Sequence, residues 1–283
     1  MMRHRFLAIS TVLAVLAATL PSSHAAKPRA FVEETRISAP RHIGQFVLDE
    51  TYFDKKQKFA GASLRYALAS HPEVRFDLFV YPAGDLPEDK AMASGMEGFK
   101  TSLDRSAQAG LFRNVDVVSS TPFELTLPQP EDKKAAMSDP LHGQRLELRY
   151  EMHLEDTDQY VPMHSHGYLF FNDLYYIKGR FSAADSRIDA ASFDALADQA
   201  IRELAPAIVI SNIGACADVT ITIDERQLDK GLTIGDLLAG MNGFDALLRN
   251  RCFDSRGQAK DTEPDDAEIV TITYDAKDWG DPE

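Results

Sequence analysis

Cysteine and positive charge are both scarce in this chain, and each scarcity narrows what it can do. Two cysteines, Cys216 and Cys252, stand among 283 residues, with no Cys-x-x-Cys spacing. A thioredoxin-like dithiol and a cysteine-rich zinc module are thereby excluded. Lys and Arg number 30 against 44 Asp and Glu, a net charge of −14. So acidic a surface repels nucleic acid and anionic lipid, and neither is an expected partner. The longest uncharged apolar run, Phe6 to Leu20, falls short of the roughly 20 residues that a membrane-spanning helix needs. Gly-x-Ser-x-Gly, His-Glu-x-x-His, Ser-x-x-Lys, a Walker-type phosphate loop and Gly-x-Gly-x-x-Gly are all missing. A Ser/His/Asp triad leaves no local signature, and nothing in the sequence nominates one. Asn-x-Ser/Thr is absent too, so nothing points to glycosylation.

What is present begins at the N-terminus. Arg3 and Arg5 precede the apolar run, Pro21 breaks it, and Ser22-Ser23-His24-Ala25-Ala26 follow. Basic, apolar, then small residues at Ser23 and Ala25 is the layout that signal peptidase reads, with cleavage between Ala25 and Ala26. No cysteine lies near that site, so attachment to a lipid by the bacterial lipoprotein route is excluded. Export of Gram-negative type into the periplasm, or secretion, is the expected destination. Losing Arg3 and Arg5 with no acid takes the charge from −14 to −16. In an oxidising compartment Cys216 and Cys252 read as one disulfide. Closing that loop constrains the unfolded chain by about 4 kcal/mol in the entropy picture.

Past the signal, residues 26–42 are polar and carry Pro28 and Pro40, which suggests an irregular lead-in. Alternation then marks strands. Val74, Phe76, Leu78 and Val80 interleave with Arg75 and Asp77, and Ser70-His71-Pro72 supplies a turn before them. Met92, Met96, Phe99 and Leu103 switch to helical spacing, with Gly110 where a C-terminal glycine belongs. Short strands are expected at 115–118 and 123–127, and a loop from Pro128 to Pro140. Three longer strands follow between Arg145 and Phe181, with Asn172-Asp173 as a tight turn. Phe193, Leu196, Ala200, Ile201 and Leu204 mark a second helix, capped by Ser192 and stopped by Pro206. A strand near 219–223, a helix over 234–251 and a strand near 269–274 complete the chain. The fold class is therefore α+β: a mostly antiparallel sheet covered by helices, with a small strand–helix–strand C-terminal module. A main domain over 43–212 and a disulfide-stapled module over 213–283 are the expected division.

The strand Gly61-Ala62-Ser63-Leu64-Arg65-Tyr66, followed by a hairpin, a helix, a meander and a closing helix, resembles the PsbP-like α/β/α sandwich over about residues 43–210. The resemblance implies an exported accessory or assembly factor without catalysis. Tyr66-Ala67-Leu68 departs from that group in lacking the Pro and Trp that often follow, and no functional residue is carried across.

Histidine supplies the one concentration of reactive side chains. His142, His153, His164 and His166 fall within one β region, and His164 and His166 flank Ser165 in a strand, on a single face. With Glu151 or His153 opposite, they would make a transition-metal site. Pairing across Asn172-Asp173 puts them with Phe170, Ile177 and Phe181, a core face. Pairing across Thr157-Asp158 puts them beside Arg149 and Glu151, a solvated one. The acidic runs Glu155-Asp156-Asp158 and Asp261 to Glu268 lack the order of a calcium-binding loop. No cofactor is called for. The reading is an exported, non-catalytic binding or assembly protein for a protein or small ligand of the periplasm. A metal-dependent protein built on His164 and His166 is one alternative. An inhibitor or immunity protein for a basic partner is the other. N-terminal sequencing of exported protein is expected to begin at Ala26; full-length chain held in the membrane fraction would show an anchor instead.

Overall fold

The computed structural model describes residues 29–127, 140–154, 156–218 and 251–279. The expected cleavage site at Ala25-Ala26, the strand near 219–223 and nearly all of the helix over 234–251 lie outside them. The chain opens with β1 (Glu34–Pro40), β2 (His42–Ile43), β3 (Phe46–Phe53), β4 (Ala62–Leu68) and β5 (Arg75–Pro82). Helix α1 (Glu88–Gln108) precedes the longer strands β6 (Phe112–Leu125), β7 (Leu141–Leu154), β8 (Gln159–Asn172) and β9 (Tyr175–Ala184). Helix α2 (Ala190–Ala207), β10 (Val209–Ile213), β11 (Cys252–Phe253), α3 (Arg256–Lys260) and β12 (Ala267–Thr273) follow, with short 3-10 turns at Lys55–Ala60 and Ala215–Ala217. The class is α+β, with a large antiparallel sheet and a C-terminal strand–helix module.

Eight strands form one sheet in the order β2-β3-β4-β5-β9-β8-β7-β6, and a smaller sheet runs β11-β10-β1-β12. Alternation along each strand sorts side chains between two cores. Leu64, Phe76, Leu78, Tyr168, Phe170, Ile177 and Phe181 face α2 and the small sheet. Leu146, Leu148, Met163, Leu169 and Tyr176 face α1, which buries Ala91, Phe99 and Leu103 against them. Close approach of α1 needs small residues. A Cβ at Gly95 would lie 2.6 Å from the Tyr176 ring, and one at Gly167 would lie 2.3 Å from the Phe99 ring.

Several local expectations are corrected. The lead-in is not irregular: Glu34–Pro40 is a strand between β10 and β12. It escapes the alternation test because Glu34, Thr35 and Ser38 are buried along with Ile37 and Ala39. The Thr35 hydroxyl donates to Asn212 Oδ1 at 2.7 Å, and Glu34 pairs with Arg36 and Arg256, while the buried Ser38 hydroxyl has no hydrogen-bond partner among the described residues. The small sheet thus combines the lead-in with segments from either side of residue 213. The two short strands expected after α1 are one strand, β6, interrupted by bulges at Arg113/Asp116 and Val117/Ser119. Asp189, not Ser192, caps α2, because its carboxylate accepts from the Ser192 backbone at 3.0 Å and hydroxyl at 2.7 Å. Pro206 sits inside the last turn of α2, one residue before its end.

Cys216 and Cys252 are bridged, with Cα atoms 5.8 Å apart. Intact mass is expected to rise by about 2 Da on reduction, and replacing either cysteine to cost a few kcal/mol of stability. Gly167→Ala is expected to lose about 1–3 kcal/mol in denaturant titration, since the added methyl must displace Phe99.

Candidate functional site

The turn between β8 and β9 decides where the histidines go. Asp173 and Leu174, both at positive φ, form a two-residue hairpin loop, and Asn172 pairs with Tyr175. The turn sits one residue later than expected, which slides each pair by two positions and leaves the faces unchanged. His166 therefore stands opposite Phe181 on β9, and opposite Glu147 on β7. His164 stands opposite Ala183 and Arg149. The core face and the charged face are one face. It is polar where β7 contributes and apolar where β9 does, and α2 lies over the junction.

Around this junction the side chains form a network. His166 is 2% exposed; its Nε2 lies 3.0 Å from Asp194 Oδ1, and its Nδ1 lies 3.0 Å from the Tyr168 hydroxyl. Tyr168 in turn reaches Asp198 Oδ1 at 2.6 Å, and Arg145 pairs with Asp198 Oδ2 at 2.9 Å. His164 Nε2 accepts from Arg149 Nη1 at 3.1 Å, with Asp185 Oδ1 also at 3.1 Å, while its Nδ1 has no partner among the described residues. The Phe193 ring packs on both imidazoles. Asp194 and Asp198, one helical turn apart on α2, complete the site from the helix side. A histidine-centred reading missed them. The available signal was their position, each one residue past the buried Phe193 and Ala197 of the apolar stripe.

Burial pushes the His166 pKa below its ordinary value, although Asp194 and then Asp198 act to raise it. Tyr168 gives its one hydroxyl proton to Asp198 Oδ1, so its oxygen meets His166 Nδ1 as an acceptor, and the single N–H of a neutral ring goes either to that oxygen or, from Nε2, to Asp194. Burial, assisted by Asp198, holds that hydroxyl far above its ordinary pKa and protonated. Both ring nitrogens are covered and face polar neighbours, and the arrangement fastens α2 to the sheet through hydrogen bonds. It offers no nucleophile: Ser165 points to the opposite face and donates to the Phe181 carbonyl at 2.9 Å.

The four residues weighed as metal ligands do not converge. Glu151 accepts from Arg113 at 2.5 Å and Asn114 at 2.9 Å, and His153 Nε2 lies 2.8 Å from Asp158 Oδ1. His164 and His166 turn instead toward Asp185 and Asp194. Among the described residues no three His, Cys, Asp or Glu side chains are grouped to hold a metal. In the second acidic run Glu263 pairs with Arg36, Asp266 with His42 and Glu268 with Arg41.

No family model matches the chain, and no curated protein matches it. Among solved structures, the solution structure of a cyanobacterial PsbP from Synechocystis is similar over 63% of this chain and 93% of its own. The TM-score is 0.38 and the identity 10%. The likeness is topological. No residue role passes from that structure to this one.

The stability contribution of His166 has a defined pH sense. A histidine whose folded pKa lies below its unfolded value favours the fold while neutral. That contribution is complete above the unfolded value of 6.5 and is lost as pH falls through the folded value. The melting temperature is therefore expected to fall on acidification below about pH 6.5, and this component to vanish in His166→Gln. His166→Ala is expected to cost about 1–3 kcal/mol at neutral pH, as lost buried hydrogen bonds do.

Proposed function

We propose that this chain is an exported, non-catalytic binding or assembly protein of the periplasm. One observation supports the reading most. Of the histidine pair, the single concentration of reactive side chains legible in the sequence, His166 is spent on holding α2 against the sheet and His164 lies against Arg149 and Asp185. A catalytic imidazole needs a face open to the reacting group and an orienting partner behind it. In His166 both nitrogens face polar neighbours within the protein and the ring is sealed. The bridged cysteines fit an oxidising compartment. No described helix is long and apolar enough to cross a membrane.

Cross-linking the mature protein in intact cells, followed by reconstitution with the purified partner, tests this reading. A stoichiometric complex that forms equally with wild type and with the His164→Ala/His166→Ala variant is expected, provided that the variant stays folded. A transition metal present at stoichiometric level in native protein and lost in that variant would assign the histidines to metal chemistry. A complex confined to one strongly basic protein, whose activity it blocks, would make the chain an inhibitor. Turnover of any bound molecule would overturn the reading.

A further inference from the structure

Lys178 and Arg180 stand two residues apart on β9, on the face that carries α1. Each is surrounded by aromatic rings instead of acids. The Lys178 ammonium lies 4.7 Å from the Phe99 ring centre, 5.1 Å from Phe79 and 5.9 Å from Tyr81. The Arg180 guanidinium stacks 4.7 Å from Phe112 and donates to the Tyr150 hydroxyl at 3.4 Å. Beyond that bond, neither cation has an ion pair or hydrogen bond among the described residues, and none of their unpartnered side-chain nitrogens is sealed from solvent. This is unusual in a chain with 44 acids and 30 basic residues.

Cross-strand register shows why acids do not reach them. One row across the sheet reads Glu50, Arg65, Asp77, Arg180. Asp77 lies directly opposite Arg180, but Arg65 at 2.9 Å and Arg75 at 3.1 Å hold its carboxylate. Glu50 is engaged by Arg65 as well. Arg65 and Arg75 therefore take both carboxylates, and none is left for Arg180. The neighbouring row reads Tyr52, Ser63, Phe79, Lys178, a small residue between two aromatic ones, with Tyr52 61% exposed. Cationic donors thus lie beside an apolar, partly open strip.

We propose that Lys178 and Arg180 bind the carboxylate of a small organic anion whose apolar body lies over Ser63 between Tyr52 and Phe79. The inference rests on the reading of the chain as a binding protein and names its ligand class. Cation–π contacts stabilise each positive charge but leave its donors free, and a carboxylate supplies the missing acceptor. Burial, followed by the neighbouring Arg180, lowers the Lys178 pKa to about 8, and a bound anion would reverse the second effect. A compact anion also suits the charge distribution. At short range it meets two cations, Lys178 and Arg180, that have no ion pair among the described residues. Over longer distances the net charge of −14 repels an extended polyanion.

The test uses mature, disulfide-bonded protein and NMR titration with benzoate, benzamide and acetate. Benzoate is expected to shift β5 and β9 amides saturably, and benzamide and acetate to bind roughly tenfold more weakly or worse. Lys178→Met keeps the stem under the rings and removes the charge, so it should retain the melting temperature and lose about tenfold or more of the affinity. Arg180→Met provides an independent check with the same expected loss. Unchanged benzoate affinity in Lys178→Met, equal binding of benzamide or acetate, or no saturable shift would overturn the proposal. Should benzoate fail while the cross-linked partner still binds, this site falls and the broader reading stands. Should turnover overturn that reading, saturable benzoate shifts that need Lys178 would keep the site.

Discussion

Asp173 and Leu174 turn the chain between β8 and β9 with φ angles of 52° and 71°. Positive φ at both central positions matches the twist of a two-residue hairpin, and it is costly for leucine. Surrounding structure holds the turn in place. Leu174 is buried, and its carbonyl accepts from the Ala83 amide at 2.9 Å. Asn212 from the small sheet donates to the Asp173 carbonyl at 2.9 Å. Burial keeps the Asp173 carboxyl well above its ordinary pKa, although Arg251 acts to lower it. The turn fixes the register, and the register decides which residues of β8 and β9 face each helix. A slip by one residue would send either His164, His166, Tyr168 and Phe170 toward α1 or Lys178 and Arg180 toward α2.

The two faces solve their polar groups in different ways. Under α2 the buried imidazole of His166 meets Asp194, and Tyr168 meets Asp198, so the charges and donors are closed on themselves. Beside α1 the cations are held by ring faces, which lower their energy without consuming their donors. A closed network fastens one element to another. An open one keeps capacity for something outside the chain. On this contrast the structural role assigned to the histidines and the binding role proposed for Lys178 and Arg180 both depend.

Much of the layout was legible in the residues. The β4–β5 hairpin, the stripe of α1 and the apolar face of α2 follow from period-2 and period-3.6 patterns that report which side of an element is dry. Histidine spacing placed His164 and His166 on one face. β1 was hidden, because a central strand with buried Glu34, Thr35 and Ser38 has no apolar alternation, and Thr35 and Glu34 meet partners remote in sequence, Asn212 and Arg256. Lys178 and Arg180 passed unnoticed because alternating Ile177, Lys178, Gly179, Arg180 and Phe181 reads as an ordinary half-buried strand with solvated charges.

Composition, charge and local periodicity determined the acidic character, the α+β class, the basic-then-apolar N-terminal pattern and the cysteine pair. These depend on residue type and near neighbours, which a sequence records directly. Only the tertiary structure decided that the small sheet draws β1 from the N-terminal lead-in. It also decided that Asp194 and Asp198 meet the histidines and Tyr168, and that Asp77 is spoken for before Arg180 can reach it. Each of these is a question of which groups become neighbours when strands pair, and that depends on register and layer packing across the whole sheet.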